Sequence, residues 1–93
     1  MLKRMRTYVI FKKLKGEVIA IFPFVKWSDG CVTSYEHIGQ HGACDWLLPY
    51  ELKNARPSEY ANLLAEIKRI YNDCVVEVLK KMPRKGIVWA RVS

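Results

Sequence analysis

The chain is short of what a disulfide scaffold or a membrane span is built from. It has three cysteines, Cys31, Cys44 and Cys74. An odd number cannot close into a complete set of intrachain bridges, and the spacing is unlike that of a small secreted scaffold. The three read as reduced thiols, which makes the expected location cytoplasmic. The longest apolar run, VIAIFPFV at 18–25, falls far below the ~20 residues that cross a bilayer. The opening MLKRMRTYVIFKK sets charges before an apolar run, as a signal peptide does. Its YVIF core is too short for that role, and no small-residue cleavage site follows. The expectation is a soluble protein with no membrane partner. The sequence also lacks internal repeats and low-complexity segments. Missing too are a nucleophile elbow, a cysteine-enzyme signature, an RNP-type motif and a helix-turn-helix or basic-helix pattern. Nothing in it calls for a cofactor, and none is assigned.

What is present suits one small folded domain spanning 1–93. Half of the residues are hydrophobic (51%), which argues against intrinsic disorder. The net charge is +7 and is unevenly spread. Residues 1–30 hold seven Lys/Arg against two acids, net +5, and 61–93 hold seven against three, net +4. The middle third, 31–60, holds two against four, net −2. A basic surface of this kind attracts nucleic acid or an anionic membrane surface, or simply keeps a small domain soluble.

Local pattern gives the elements. TYVIFKKL (7–14) and EVIAIFPF (17–24) are rich in β-branched and aromatic residues and flank Lys15-Gly16, a hairpin signal. The second of these strands is apolar on both alternating faces, which predicts a strand that is central or covered on both sides. Pro23 is then expected at its end or on a sheet edge. WSDG (27–30) is a turn and CVTSYEHI (31–38) a third strand. Residues 39–56 read as a long irregular connection. Pro57-Ser58 starts a helix over about 58–72, with Ser58 as the expected N-cap and Tyr60, Leu63, Leu64, Ile67, Ile70 and Tyr71 on one stripe. CVVEVLKK (74–81) fits a strand or a continuation of the helix, and its valines favour the strand. MPRKG (82–86) is a turn, and IVWARV (87–92) reads as a last strand. The predicted class is α+β: an antiparallel sheet of about five strands, in the order β-β-β-α-β-β, with one helix packed on a face.

Three segments carry a resemblance: YVIFKKLKGEVIAIFP (8–23), SYEHIGQHG (34–42) and PSEYANLLAEI (57–67). Through them the chain from Tyr8 to about Lys80 resembles a family of small proteins encoded by bacteria, their phages and mobile elements, with the signature SY-x-H-x-GQH. In this chain its residues are Ser34, Tyr35, His37, Gly39, Gln40 and His41. The resemblance implies the architecture and a phage or mobile-element setting, and brings no catalytic role with it. Cys31, Cys44 and residues 82–93 fall outside the pattern.

Several constellations could carry function. Cys31, His37, His41 and Cys44 form C-x5-H-x3-H-x2-C, an adequate donor set for tetrahedral zinc at a spacing no standard zinc module uses. Cys44 or Ser34 could act as a nucleophile with His37 or His41 as base, and Glu36 could orient an imidazole. On the structural reading, Gly39 and Gly42 supply positive φ for a sharp turn, while Ser34, His37 and Gln40 bond to the backbone. Tyr8, Phe11, Phe22, Phe24, Trp27, Tyr35 and Trp89 are interleaved with Lys12, Lys13, Lys15, Lys26 and Arg91, the ingredients of a single-strand stacking platform or of a core. Lys12, Lys13 and Lys15 at the first turn would form one basic patch with Lys80, Lys81, Arg84 and Lys85 if both turns lie at one end of the sheet. DWLLPYEL (45–52) either plugs the open side of the sheet or offers Trp46 and Tyr50 as anchors to a partner. A strand at 87–92 would give an edge for homo-oligomer formation. The reading that best fits is a small non-catalytic binding or accessory protein with a protein or nucleic-acid partner. The alternative is a small enzyme or metal-binding protein centred on His37 and His41.

Overall fold

A computed structural model describes residues 5–36 and 40–93. The hairpin forms as expected, with β1 (Met5–Leu14) antiparallel to β2 (Glu17–Ser28) around Lys15 and Gly16, both at positive φ. β3 (Cys31–Glu36) pairs with the far side of β2. The long connection expected after it is instead structured. It contains a fourth strand, β4 (Gln40–Asp45), one turn of helix, α1 (Leu48–Glu51), and a two-residue strand, β5 (Lys53–Asn54). Then come α2 (Pro57–Ile70), β6 (Cys74–Val78) and α3 (Lys85–Val92). The protein is α+β, with strand order β4-β3-β2-β1-β5. β6 shares the outer edge of β1 with β5: β5 pairs antiparallel at Lys12 and Lys13, and β6 pairs parallel from Met5 to Val9.

The sequence of β2 dictates the layers. Ala20 and Phe22 point to one face, where they cluster with Val9, Phe11 and Tyr35 beneath Leu63 and Ile67 of α2. Ile19 and Ile21 point to the other, where they meet Ile10, Val32, Cys44 and Val88 and Val92 of α3. Side chains of this size contribute about 1.5–3 kcal/mol each on leaving water. The sheet is therefore covered on both faces. This corrects the expectation of a strand at 87–92. Alternation there reads as β, but Val88 and Val92 are four apart and both fully buried, so one helical stripe closes the second face. Tertiary demand outweighs the β-propensity of Ile87, Val88 and Trp89.

Two local corrections follow. α2 begins one residue earlier than expected: Pro57 occupies its first turn and Arg56, not Ser58, is the N-cap. A residue lacking N–H with φ near that of a helix costs nothing at that position. Glu59 reaches back to accept the Arg56 N–H at 2.9 Å. Its other oxygen accepts from Lys13 Nζ at 2.7 Å, and these bonds, the lysine's first, hold its carboxyl below the usual range. Second, Pro23 is neither at a strand end nor on an edge. It is buried inside β2, where the pairing jumps from Phe22↔Thr33 to Lys26↔Val32. β2 advances four residues there while β3 advances one, and a residue without N–H fits the interrupted ladder. The interruption turns Phe24 onto the α3 face. There Tyr8 meets it edge-on at 5.5 Å, and the Arg91 guanidinium lies 5.6 Å from its ring centre.

Gly30 ties this architecture together. Its N–H donates to the carbonyl of Val92 at 2.8 Å and its carbonyl accepts from Trp46 N at 3.1 Å, joining the β2–β3 turn to the end of α3 and the exit of β4. It does so at φ +76°, and a Cβ there would meet nothing within 4 Å. Gly30→Ala should therefore act through backbone strain alone, costing roughly 1–2 kcal/mol. That lowers the melting temperature by about 4–8 °C per kcal/mol for a domain of this size. Gly86→Ala, in α3 with open space around it and no positive φ, should instead raise it slightly. Thermal melts followed by circular dichroism check both.

Candidate functional site

The described parts of SYEHIGQHG, 34–36 and 40–42, pair as antiparallel strands, where the sequence predicts a strand followed by a loop. The pairs are Ser34↔Gly42, Tyr35↔His41 and Glu36↔Gln40. His37 and Gly39 lie outside the described residues. Gly42 is a strand residue without positive φ, so the expected turn role does not apply to it. Its carbonyl accepts the Ser34 hydroxyl at 3.1 Å, and a Cβ on it would sit 3.7 Å from that oxygen.

The period-2 alternation of β4 separates the residues that a metal site or catalytic dyad would need together. His41 faces α2. Its Nε2 is 2.7 Å from the Tyr71 hydroxyl, and its ring meets Tyr35 edge-on at 4.8 Å. Tyr35, fully buried, donates to Glu66 of α2 at 2.9 Å. Burial, then that carboxylate, raises the Tyr35 hydroxyl above its ordinary range. Cys44 faces the opposite way, in the α3-side core. Burial first, and Asp45 second, push its thiol up to about 11. A thiol that resists ionisation is a poor nucleophile and a poor metal ligand. Among the described residues no three His, Cys, Asp or Glu side chains gather as a metal would require.

The basic residues fare differently. Lys12 is 7% exposed; its Nζ donates to the Leu52 carbonyl at 3.2 Å, and desolvation lowers its pKa. It is therefore withdrawn from any surface patch. Lys13 is paired with Glu59, and Lys15 is exposed at the hairpin turn. The two basic segments do converge at β5. Lys53 pairs across from Lys13, and the Asn54 amide donates to the Lys80 carbonyl at 2.7 Å. Exposed Lys80, Lys81, Arg84 and Lys85 then lead towards α3.

That run ends on aromatic surface. DWLLPYEL folds against the second core cluster through Trp46, Leu48 and Tyr50, as the plugging reading expects. The Tyr50 hydroxyl donates to the Pro83 carbonyl at 2.6 Å and so fixes the segment before α3. Lys85 Nζ lies 5.5 Å from the centre of the Tyr50 ring. One turn on, Trp89 packs at 5.4 Å against Trp46 while staying 49% exposed. Trp46, Lys85, Gly86 and Trp89 line a shallow depression. The aromatics thus divide. Phe11, Phe22 and Tyr35 are core, and both sheet faces are covered, so the sheet itself is no open stacking platform. Of the two most exposed rings, Trp89 is in α3, against Trp46, and Trp27 is at the outer end of β2. Reading 87–92 as a strand hid this arrangement; a helix from Lys85 puts Lys85 and Trp89 four apart on one flank.

No protein-family model, curated protein or solved structure matches the chain. No helix among the described residues is long and apolar enough to cross a membrane.

Thiol chemistry should divide along the same lines. With an aromatic disulfide reagent at pH 8, Cys31 and Cys74, both half-buried, should react promptly. Cys44, with about 0.1% thiolate at that pH, should react only after unfolding. Three fast thiols in the folded protein would contradict this placement.

Proposed function

We propose that the protein is a small non-catalytic binding protein that takes single-stranded nucleic acid along the surface from Lys80 to Trp89. The observation that carries this reading is the pairing of Trp46 with the half-exposed Trp89, next to Lys85, at the end of a run of exposed cations. Flat rings accept bases by stacking, and neighbouring cations neutralise the phosphates between them. Stacking needs unpaired bases, which selects single strands over duplex. The proposal sets the protein in the cytoplasm as an accessory protein of phage or mobile-element type. That setting is supported by the SYEHIGQH resemblance and by thiols that form no bridge.

Anisotropy titration of a labelled single-stranded oligonucleotide at two salt concentrations tests this. Binding should weaken as salt rises, in proportion to the number of phosphates neutralised. Trp89→Ala should cost about 1–3 kcal/mol of binding, the worth of one stacked base. Lys85→Ala should reduce the log–log salt slope by about 0.7. No binding at low salt, or equal affinity of the Trp89 variant, overturns the proposal.

A further inference from the structure

The terminal strand β4 has one edge on β3 and, among the described residues, nothing on the other. Which backbone groups face outward follows from the ladder. Trp46 N donates to Gly30 O, and the same register continues as Val32↔Cys44, Ser34↔Gly42 and Glu36↔Gln40. In an antiparallel ladder, pairs that exchange hydrogen bonds alternate with pairs that do not. The N–H and C=O groups of Gly42 and Cys44 therefore face β3, and those of His41, Ala43 and Asp45 face away from it. This edge lacks the usual guards. It has no lysine and no proline, and all six of its pairs with β3 run without a bulge. Gly42 and Ala43 at its centre are small enough for another strand to approach.

We propose that two copies of the chain join antiparallel along β4, about a two-fold axis through Ala43. Of the two-fold registers, that one alone gives all three outward residues a facing partner. Ala43 then faces Ala43 of the second copy, and His41 faces Asp45 of the second copy twice over. The three facing pairs exchange six backbone hydrogen bonds, two per pair. The side chains agree with the backbone. His41 uses Nε2 on Tyr71, and among the described residues its Nδ1 has no hydrogen-bond partner. Asp45 uses Oδ1 to accept the Leu47 N–H, leaving the other oxygen to receive that imidazole N–H. An unrelated extended peptide could match the backbone, but a second copy by its own sequence brings a carboxylate opposite each His41. The edge also lies in the acidic third of a basic chain, where two copies repel least. Dimer formation is independent of nucleic-acid binding. The edge strand for self-association is thus β4, not the segment 87–92, which is helical.

Sedimentation velocity of nucleic-acid-free protein between roughly 1 µM and 1 mM tests this. The wild type should pass from monomer to dimer within the range. Ala43→Pro removes an outward N–H and leaves the ladder to β3 intact. It should weaken association on the order of tenfold or more while keeping the native circular dichroism spectrum. Ala43→Lys, which sets like charges face to face at the axis, should do the same and provides the test if the proline variant does not fold. A wild type that stays monomeric throughout, or a folded variant that dimerises as tightly as the wild type, overturns the proposal.

Discussion

The rest of the structure depends on one strand being apolar on both sides. β2 sends Ala20 and Phe22 one way and Ile19 and Ile21 the other, so neither face of the sheet can be left to water. α2 covers one face with Leu63 and Ile67. The chain then needs a second cover, and it uses the segment 45–52 together with the C-terminal helix. Gly30 secures that cover by bonding to Val92 and Trp46 at once. The placement of Trp46 and Trp89 side by side follows from this demand.

Much of the fold was legible for the same reason. The first hairpin, the third strand, the amphipathic helix and the Val-rich strand after Asp73 each announce themselves through period and propensity. α3 did not. Its last six residues, 87–92, alternate well enough for a strand, and only the uncovered second face decides for a helix, which is information about the whole molecule rather than the segment. β4 was hidden because Gln40, Gly42, Ala43 and Asp45 have little strand propensity. It forms because Cys44 drops into the core and because the ladder to β3 is continuous.

The candidate sites behaved likewise. A sequence can show that two histidines and two cysteines are close along the chain, but it cannot show on which face of a strand each lies. His41 and Cys44 are three apart, an odd number, so a strand sends them to opposite faces. Lys12 was the converse case. Its charge looked like surface, yet its position opposite Ile19 in β1 buries it against the Leu52 carbonyl. The pairing of Trp46 with Trp89, 43 positions apart, had no local sign at all.

The parallel pairing of β1 with β6 bears on how the molecule is made. Met5 is opposite Cys74 and Val9 opposite Val78, so the first strand finds its last neighbour 69 residues later. During synthesis the β1–β2–β3 meander can form from nearby segments. The outer edge of β1 stays bare from Met5 to Val9 until residues 74–78 have emerged, and α3 comes later still. Closing so long a loop is slow compared with making hairpins. A nascent chain therefore passes through a stage with an open β edge and one sheet face unroofed. In that interval the chain is most prone to stick to its neighbours.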